Sequence, residues 1–300
     1  MNRKAQVILA GVTCTLLLAG AGRLAHRRPA KAHGEMPLWR EVKDMTGRKA
    51  LLAARPARIL SLCTSATDTI LALGAGDCLA AIDEFSRVVP GAERAVVAGK
   101  GGGLSREKVA ALDVDLAFVW WYQDDMAEML AGLAIPVARI RSGRAAEVPA
   151  MIRLIGECLD CPDAAERCAA EIQDFLGRAS AGRVGDRPSV FLELYGPLRS
   201  VGGDTYTNDL LELAGGRNVA AEAKGAVSFS AERLVAADPD VILCLGEAAE
   251  ALARRPGMAG LRAVRQHRVL AIERYWLVAG PHMPQSVEKL RAVLAGPPKP

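Results

Sequence analysis

Two rhythms of apolar and polar positions run through the chain. Short unbroken apolar runs have the length and composition of buried strands, and they predict strands over residues 58–62, 116–120, 136–140, 190–194, 241–245 and 269–272. Between them, apolar residues recur at every third or fourth position. That period predicts helices over 67–73, 124–130, 208–213 and 285–294, the first closed by Gly74-Ala75-Gly76. From 147 to about 181 the helical period continues through Val148, Met151, Ile152, Ile155, Ala165, Cys168, Ala169, Ile172, Phe175 and Leu176, with one break at Pro162.

Strands alternating with helices imply parallel sheets covered on both faces. The two halves also echo each other. Ser105-x-Glu107-Lys108-Val109-x-Ala111-x-Asp113-x-Asp115-Leu116 returns as Ser230-x-Glu232-Arg233-Leu234-x-Ala236-x-Asp238-x-Asp240-Val241. Likewise Thr67-x-x-Ile70-Leu71-x-Leu73-x-x-Gly76 returns as Thr207-x-x-Leu210-Leu211-x-Leu213-x-x-Gly216. The expected fold class is therefore α/β, with two Rossmann-like lobes of parallel sheet bridged by a long α-helix. The expected boundaries are 1–21 for a leader, 22–57 for an N-terminal extension, 58–145 for the first lobe, 146–184 for the helical link and 185–296 for the second lobe. A helical link is stiffer than a Gly/Ser strand pair, so limited lobe closure is expected.

Composition narrows the class. With 51% apolar and 24% charged residues the chain is globular, and a net charge of +4 without a long basic run gives no footprint for nucleic acid. Arg3 and Lys4 precede an uncharged run from Val7 to Ala21 that ends on Ala19-Gly20-Ala21, the form of a secretory signal peptide. The run is about 15 residues, short of the ~20 that span a bilayer, although an uncleaved N-terminal anchor is the alternative. Gly11-Val12-Thr13 before Cys14 lacks the Leu of a lipobox, which argues against lipidation. An exported compartment permits disulfides, and the spacing of Cys158, Cys161 and Cys168 suggests one local bridge among them. Cys244, inside an apolar run, reads as a small buried hydrophobe.

Most candidate chemistry fails. Gly99-Lys100-Gly101-Gly102-Gly103 has Gly where a phosphate loop needs Ser or Thr after Lys. Cys158-Leu159-Asp160-Cys161 sits at a helix end, not at the helix start that lowers a redox thiol's pKa. His267 reads as a surface residue, and His26 and His33 fall in the N-terminal leader region. No metal site, hydrolase elbow or catalytic triad can be assembled. The aromatics are more informative, because the chain has only five Phe, four Trp and four Tyr. Trp120-Trp121-Tyr122 closes one strand, and Tyr275-Trp276 follows another in the other half. Open parallel sheets bind ligands outside the carboxyl ends of their strands. These five rings are therefore candidate ligand-binding residues for a large, partly apolar, planar or macrocyclic molecule. Arg87 and Arg274 flank the same ends and can pair with ligand carboxylates. His282, in a loop after Ala279-Gly280-Pro281, is a further candidate.

Several stretches together carry a family resemblance. Asp44-x-x-Gly47-Arg48 and Pro56-x-Arg58-Ile59-Leu60-Ser61-Leu62 come first. Ser65-Ala66-Thr67-Asp68-x-Ile70-Leu71-x-Leu73-Gly74-Ala75-Gly76-Asp77 and Leu210-Leu211-Glu212-Leu213-Ala214-Gly215-Gly216-Arg217-Asn218 follow in order. Over residues 42–295 the chain resembles the class III periplasmic substrate-binding proteins of ABC importers, the group serving iron-siderophore, haem and cobalamin uptake. The resemblance implies a small leading hairpin at 44–48 and two α/β lobes joined by one long helix. It also implies a periplasmic, monomeric, non-enzymatic protein without a cofactor or metal of its own. The ligand would be an iron chelate or a cobalamin-type corrinoid. Haem ranks behind, since no Tyr/His axial pair is evident beyond Tyr275 and His282. The implied partner is a permease dimer in the inner membrane, docked through Glu107 and Glu232. The chain departs from many members in carrying Asp83-Glu84-Phe85-Ser86-Arg87 in place of a Tyr-rich segment, and its Trp120-Trp121-Tyr122 triplet is richer than usual. Two other readings are a membrane-anchored sensor of the same fold and a thiol redox protein using Cys158 and Cys161.

Overall fold

The computed structural model describes residues 39–53, 55–99, 104–181, 187–246 and 248–296. The expected leader at 1–21, His26, His33 and the 100–103 part of the glycine run lie outside them. The described residues belong to one compact unit, Pro37–Pro300. It begins with an antiparallel hairpin, β1 (Trp39–Lys43) and β2 (Lys49–Ala53). Its turn is organised by Asp44, whose Oδ1 accepts hydrogen bonds from Thr46 N at 2.9 Å and Arg48 N at 3.0 Å, while Gly47 takes φ +84°.

The first lobe is a five-stranded parallel sheet of β3 (Ile59–Ser61), β4 (Leu79–Asp83), β5 (Val96–Gly99), β6 (Leu116–Trp120) and β7 (Val137–Ile140), in the order β5-β4-β3-β6-β7. Strands β3 and β6 lie inside the sheet, and apart from Trp120 every residue in them is buried. That is why they read as unbroken apolar runs. Helices α1 (Thr64–Ala72), α2 (Arg106–Ala111) and α3 (Asp124–Ala131) supply crossovers.

The chain then passes through α4 (Val148–Cys158) and α5 (Pro162–Ala181). The bridge is thus two helices in sequence, the second one long. Asp160 takes φ +59° in the turn between them, and Pro162 opens α5, where its missing N–H costs nothing. The Arg40 guanidinium of the hairpin donates to the carbonyls of Glu157 and Cys158 at the end of α4, the latter at 2.7 Å.

In the second lobe β8 (Ser189–Glu193) leads to a small ribbon of β9 (Arg199–Val201) and a later strand, and to α6 (Tyr206–Leu213). Next come β10 (Arg217–Asn218), the ribbon partner β11 (Ala226–Ser228), α7 (Ala231–Ala237) and β12 (Val241–Leu245). The lobe ends with α8 (Ala248–Ala253), α9 (Arg262–Arg265), β13 (Val269–Ile272) and α10 (Met283–Ala295). Its parallel sheet has the order β10-β8-β12-β13.

The internal echo is a physical equivalence. Ser105 Oγ accepts from Lys108 N at 3.2 Å and Ser230 Oγ from Arg233 N at 3.1 Å, so each caps its helix. Asp113 and Asp238 end those helices at φ +50° and +35°. Asp115 then accepts from Ala57 N and Arg58 N ahead of β3, as Asp240 accepts from Ser189 N at the start of β8. Each helix exit also turns on a glycine in the left-handed region, Gly74 at φ +75° and Gly215 at φ +93°, and Gly76 and Gly216 then pack against Leu71 and Leu211 of their own helices.

One apolar cluster crosses both lobes. It runs from Phe118 and Ile140 through Met151, Ile155 and Ile172 of the bridge to Val190, Leu210 and Leu290. A bidentate pair adds a second tie, with Arg144 Nε and Nη2 at 2.8 and 2.6 Å from the Asp209 carboxylate of α6.

Candidate functional site

In both sheets the strand order reverses next to the first strand, between β3 and β6 in one lobe and between β8 and β12 in the other. The chain leaves opposite sides of such a point in opposite directions, which opens a crevice at the carboxyl ends. Eight large apolar side chains are exposed among the described residues. Four are aliphatic, and the other four are Phe85 (49% exposed), Trp121 (37%), Tyr122 (63%) and Tyr195 (52%). Every one of these aromatics follows a strand end: Phe85 after β4, Trp121 and Tyr122 after β6, Tyr195 after β8. Rings are costly to leave in water. Their confinement to this side of the sheets makes it the candidate site.

The triplet after β6 forms one ring cluster. Trp121 meets Tyr122 edge-on with centroids 4.9 Å apart, and Trp120, half-buried against the core, lies nearly parallel to Tyr122 at 6.4 Å. Gln123 Oε1 accepts from Trp120 N at 2.9 Å and holds the exit of the strand. Burial raises the Tyr122 phenol above its ordinary pKa, and the acidic groups of Cys63, Tyr195 and Asp83 are near enough to add to the rise. Tyr195 belongs to the second lobe, so the two phenols face one another's field. Asp83, at the end of β4, is buried; its carboxyl is raised above the usual range by that burial, partly offset by hydrogen bonding to Ser86. The Tyr195 loop is anchored from beneath. Buried Glu193 accepts two bonds from Arg255 at 2.6 Å each and one from Leu198 N at 2.7 Å, while Gly196 and Leu198 take φ +118° and +58°.

An open depression of about 460 Å³ lies against these strand ends. Val88 lines it from the first lobe, in the 3-10 turn Glu84–Val88 that also carries Phe85 and Arg87. From the second lobe come Leu245, Gly246, Ile272, Glu273, Arg274 and Tyr275. Of the residues expected from sequence, Arg274 and Tyr275 therefore line the depression, and exposed Arg87 sits one residue from its wall. Trp276 and His282 are not among its lining residues. Trp276 packs on the core with the Lys289 ammonium 5.2 Å from its ring centroid, and its buried Nε1 has no acceptor among the described residues. His282 has both ring nitrogens engaged inside the protein, with Nδ1 2.7 Å from Asp68 Oδ2 and Nε2 2.9 Å from the Tyr275 carbonyl oxygen.

Glu107 and Glu232 are exposed at equivalent first-turn positions of α2 and α7. In each case the residue's own backbone N–H, then the capping serine, holds the carboxyl below its ordinary range, so both stay charged. The expected bridge among Cys158, Cys161 and Cys168 is absent, and all six described cysteines are free thiols. Cys158 is buried at the end of α4, and burial pushes its thiol up to about 12. A redox nucleophile needs the opposite shift. Sequence reasoning missed Phe85 and Tyr195 as site residues, as well as Asp68. Phe85 and Tyr195 each stand two residues past a strand end, which is the one sequence signal that marks them.

Comparison with known proteins matches a family profile described as "Periplasmic binding protein" to residues 59–275. The chain is 25% identical to an uncharacterised ABC transporter substrate-binding lipoprotein, YvrC, of Bacillus subtilis, over 97% of this chain and 96% of that one. It is 29% identical to a cobalamin-binding protein of Halobacterium salinarum, over 81% of this chain and 69% of the relative. Among solved structures, a periplasmic haem-binding protein from Pseudomonas aeruginosa superposes with a TM-score of 0.72 at 26% identity. That match covers 82% of this chain and 95% of the other. No helix of the described residues is long and apolar enough to cross a membrane.

Proposed function

The chain belongs to the periplasmic binding protein family, and from that premise we propose that it is the substrate-binding component of an ABC importer. In this reading it is exported, captures a corrinoid of cobalamin type or an iron chelate between its lobes, and delivers it to a membrane permease without making or breaking a bond. The observation that carries the ligand class is the confinement of the four exposed aromatic side chains among the described residues, from both lobes, to the carboxyl ends of the strands. Flat rings at such a crevice stack on a large, partly apolar disc, and Arg87 and Arg274 meet its peripheral acceptors. The relatives' named ligands, cobalamin and haem, are molecules of that shape.

Delivery needs a second surface. Glu107 and Glu232 occupy equivalent positions on the two lobes, so they offer a pair of like charges to a partner whose basic groups are likewise paired. Rim ion pairs of this kind set orientation and on-rate more than bulk affinity.

The test is a tryptophan-quenching titration of the purified protein against cyanocobalamin, haemin and a set of ferric siderophores. Saturable quenching by one of them is expected. Silence from all would remove the corrinoid or iron-chelate reading.

A further inference from the structure

Asp68 lies on α1 of the first lobe and is 4% exposed. Both oxygens of its carboxylate are engaged by side chains of the second lobe. Oδ1 accepts from the Tyr275 hydroxyl at 2.7 Å, and Oδ2 lies 2.7 Å from His282 Nδ1. The Tyr275 and His282 rings stack with centroids 4.1 Å apart, 17° from parallel. His282 Nε2 then returns to the Tyr275 carbonyl. Both ring nitrogens of the imidazole are thus engaged by oxygens inside the protein, one of the first lobe and one of the second. The backbone is moulded to this contact: a Cβ at Gly280 would come to 2.1 Å from Asp68 Oδ2. Tyr206 of α6 and Cys168 of α5 are the other titratable groups that feel the Asp68 charge.

We propose that Asp68 is a positioning residue that pins the two lobes together and holds the Tyr275 ring as a fixed wall of the depression. No other carboxylate among the described residues receives both a phenol and an imidazole, and this one receives them from sequence distances of 207 and 214 residues. A helix that only packed on its own sheet would gain nothing from a buried charge at this position, which is costly unless paired. The pairing is spent on the contact between lobes. The pin sits directly behind Tyr275, so it joins lobe spacing to the shape of the wall that a ligand meets. This consequence for ligand binding rests on the function proposed above; the consequence for lobe motion does not.

The test uses the full chain without ligand. Spin labels are attached to ketone-bearing residues introduced at the exposed positions Val97 and Val235, one on each lobe. The unsubstituted pin should give one narrow distance distribution. Asp68→Ala should broaden it by several ångströms, and so should Gly280→Ala, which leaves every polar group in place and drives a methyl into the carboxylate. Arg255→Ala, which breaks a pair inside the second lobe, should leave the width unchanged and controls for general loosening. An unchanged width in both pin variants, with far-UV dichroism showing them folded, would overturn the proposal. A second arm measures dissociation of whichever of cyanocobalamin, haemin or ferric siderophore quenches the parent protein. Asp68→Ala should release it about tenfold faster, the effect of losing one charge-assisted hydrogen bond. If the parent binds none of these probes, the functional reading fails by itself, and the distance widths still decide the pin.

Discussion

The anchor beneath the Tyr195 loop allows a calculation of what one buried charge costs. Glu193 has a side chain 1% exposed, paired with an Arg255 side chain 23% exposed. Arg255→Ala leaves the carboxylate in the protein interior with the Leu198 N–H as its one remaining donor. Stranding a buried charge in this way costs on the order of 3–5 kcal/mol. Arg153 makes a pair of similar geometry with Glu166, at 2.6 and 2.9 Å, but the side chains are 39% and 60% exposed. There Arg→Ala should cost about 0–1 kcal/mol, because water already screens both charges. With a urea m-value near 3 kcal/mol/M for a chain of this size, the first variant should lower the midpoint by roughly 1–2 M and the second by less than about 0.3 M. Replacing both Glu193 and Arg255 with Met should recover most of the loss, since the stranded charge, rather than the lost attraction, dominates. Intrinsic fluorescence against urea measures all three variants. Equal midpoints for Arg255→Ala and Arg153→Ala would refute the reasoning, as would a double variant no more stable than the single one.

Four further outcomes are expected. Phe85→Ala and Tyr195→Ala should each weaken the ligand identified by quenching by about 1–2 kcal/mol, the worth of a buried aromatic contact; isothermal titration giving parental affinity for both would exclude them from the site. Reversing the charge at Glu107 and Glu232 together should abolish uptake in cells while leaving quenching titrations unchanged, and normal uptake would remove the docking role. Because burial raises the Asp83 carboxyl above its unfolded value near 3.9, its contribution to stability is complete below that pH and is lost as pH rises through the folded value. Asp83→Asn, which keeps an acceptor for Ser86 N, should therefore raise the urea midpoint at pH 8 and raise it less at pH 4; parallel curves would contradict this. Finally, Ellman's reagent should modify half-buried Cys78, Cys161 and Cys168 before buried Cys63, Cys158 and Cys244, the last two thiols being pushed up to about 12. Early reaction at Cys158 would reopen a redox role.

The strands β6, β12 and β13 were legible at their observed bounds: β6 and β12 because interior strands of a parallel sheet are apolar throughout, and the edge strand β13 because its Val-Leu-Ala-Ile run is apolar although only its last residue is buried. Strand β4, Leu-Ala-Ala-Ile-Asp, lacks the β-branched and aromatic density that marks a strand, and α2 and α7 span only six and seven residues, too few to show a period. The repeated Ser and Asp positions were legible as a pattern, yet their work became visible only in the structure, where Asp115 and Asp240 hold the starts of β3 and β8. The site divides along the same line. Trp121 and Tyr122 stood out as a cluster, whereas Phe85 and Tyr195 are single rings in polar loops. Asp68 and His282 lie at opposite ends of the chain, and nothing in either local segment encodes their meeting.

The apolar cluster that joins the lobes also sets an order in which the chain can be completed. The first lobe is assembled from one contiguous stretch, β3 to β7, and can close its sheet as soon as that stretch is available. The bridge helices α4 and α5 follow with apolar sides that partly await later segments: Val190 and Leu192 from β8, Leu210 from α6, and Met283, Val287, Leu290 and Leu294 from α10. Helix α10 packs on both α5 and α6 and carries almost the last residues of the chain. A chain crossing a membrane from its N-terminus onward would therefore display an unfinished bridge until its final helix arrived. Loss of the chain from Met283 onward would leave that surface bare, with effects reaching the first lobe's own core.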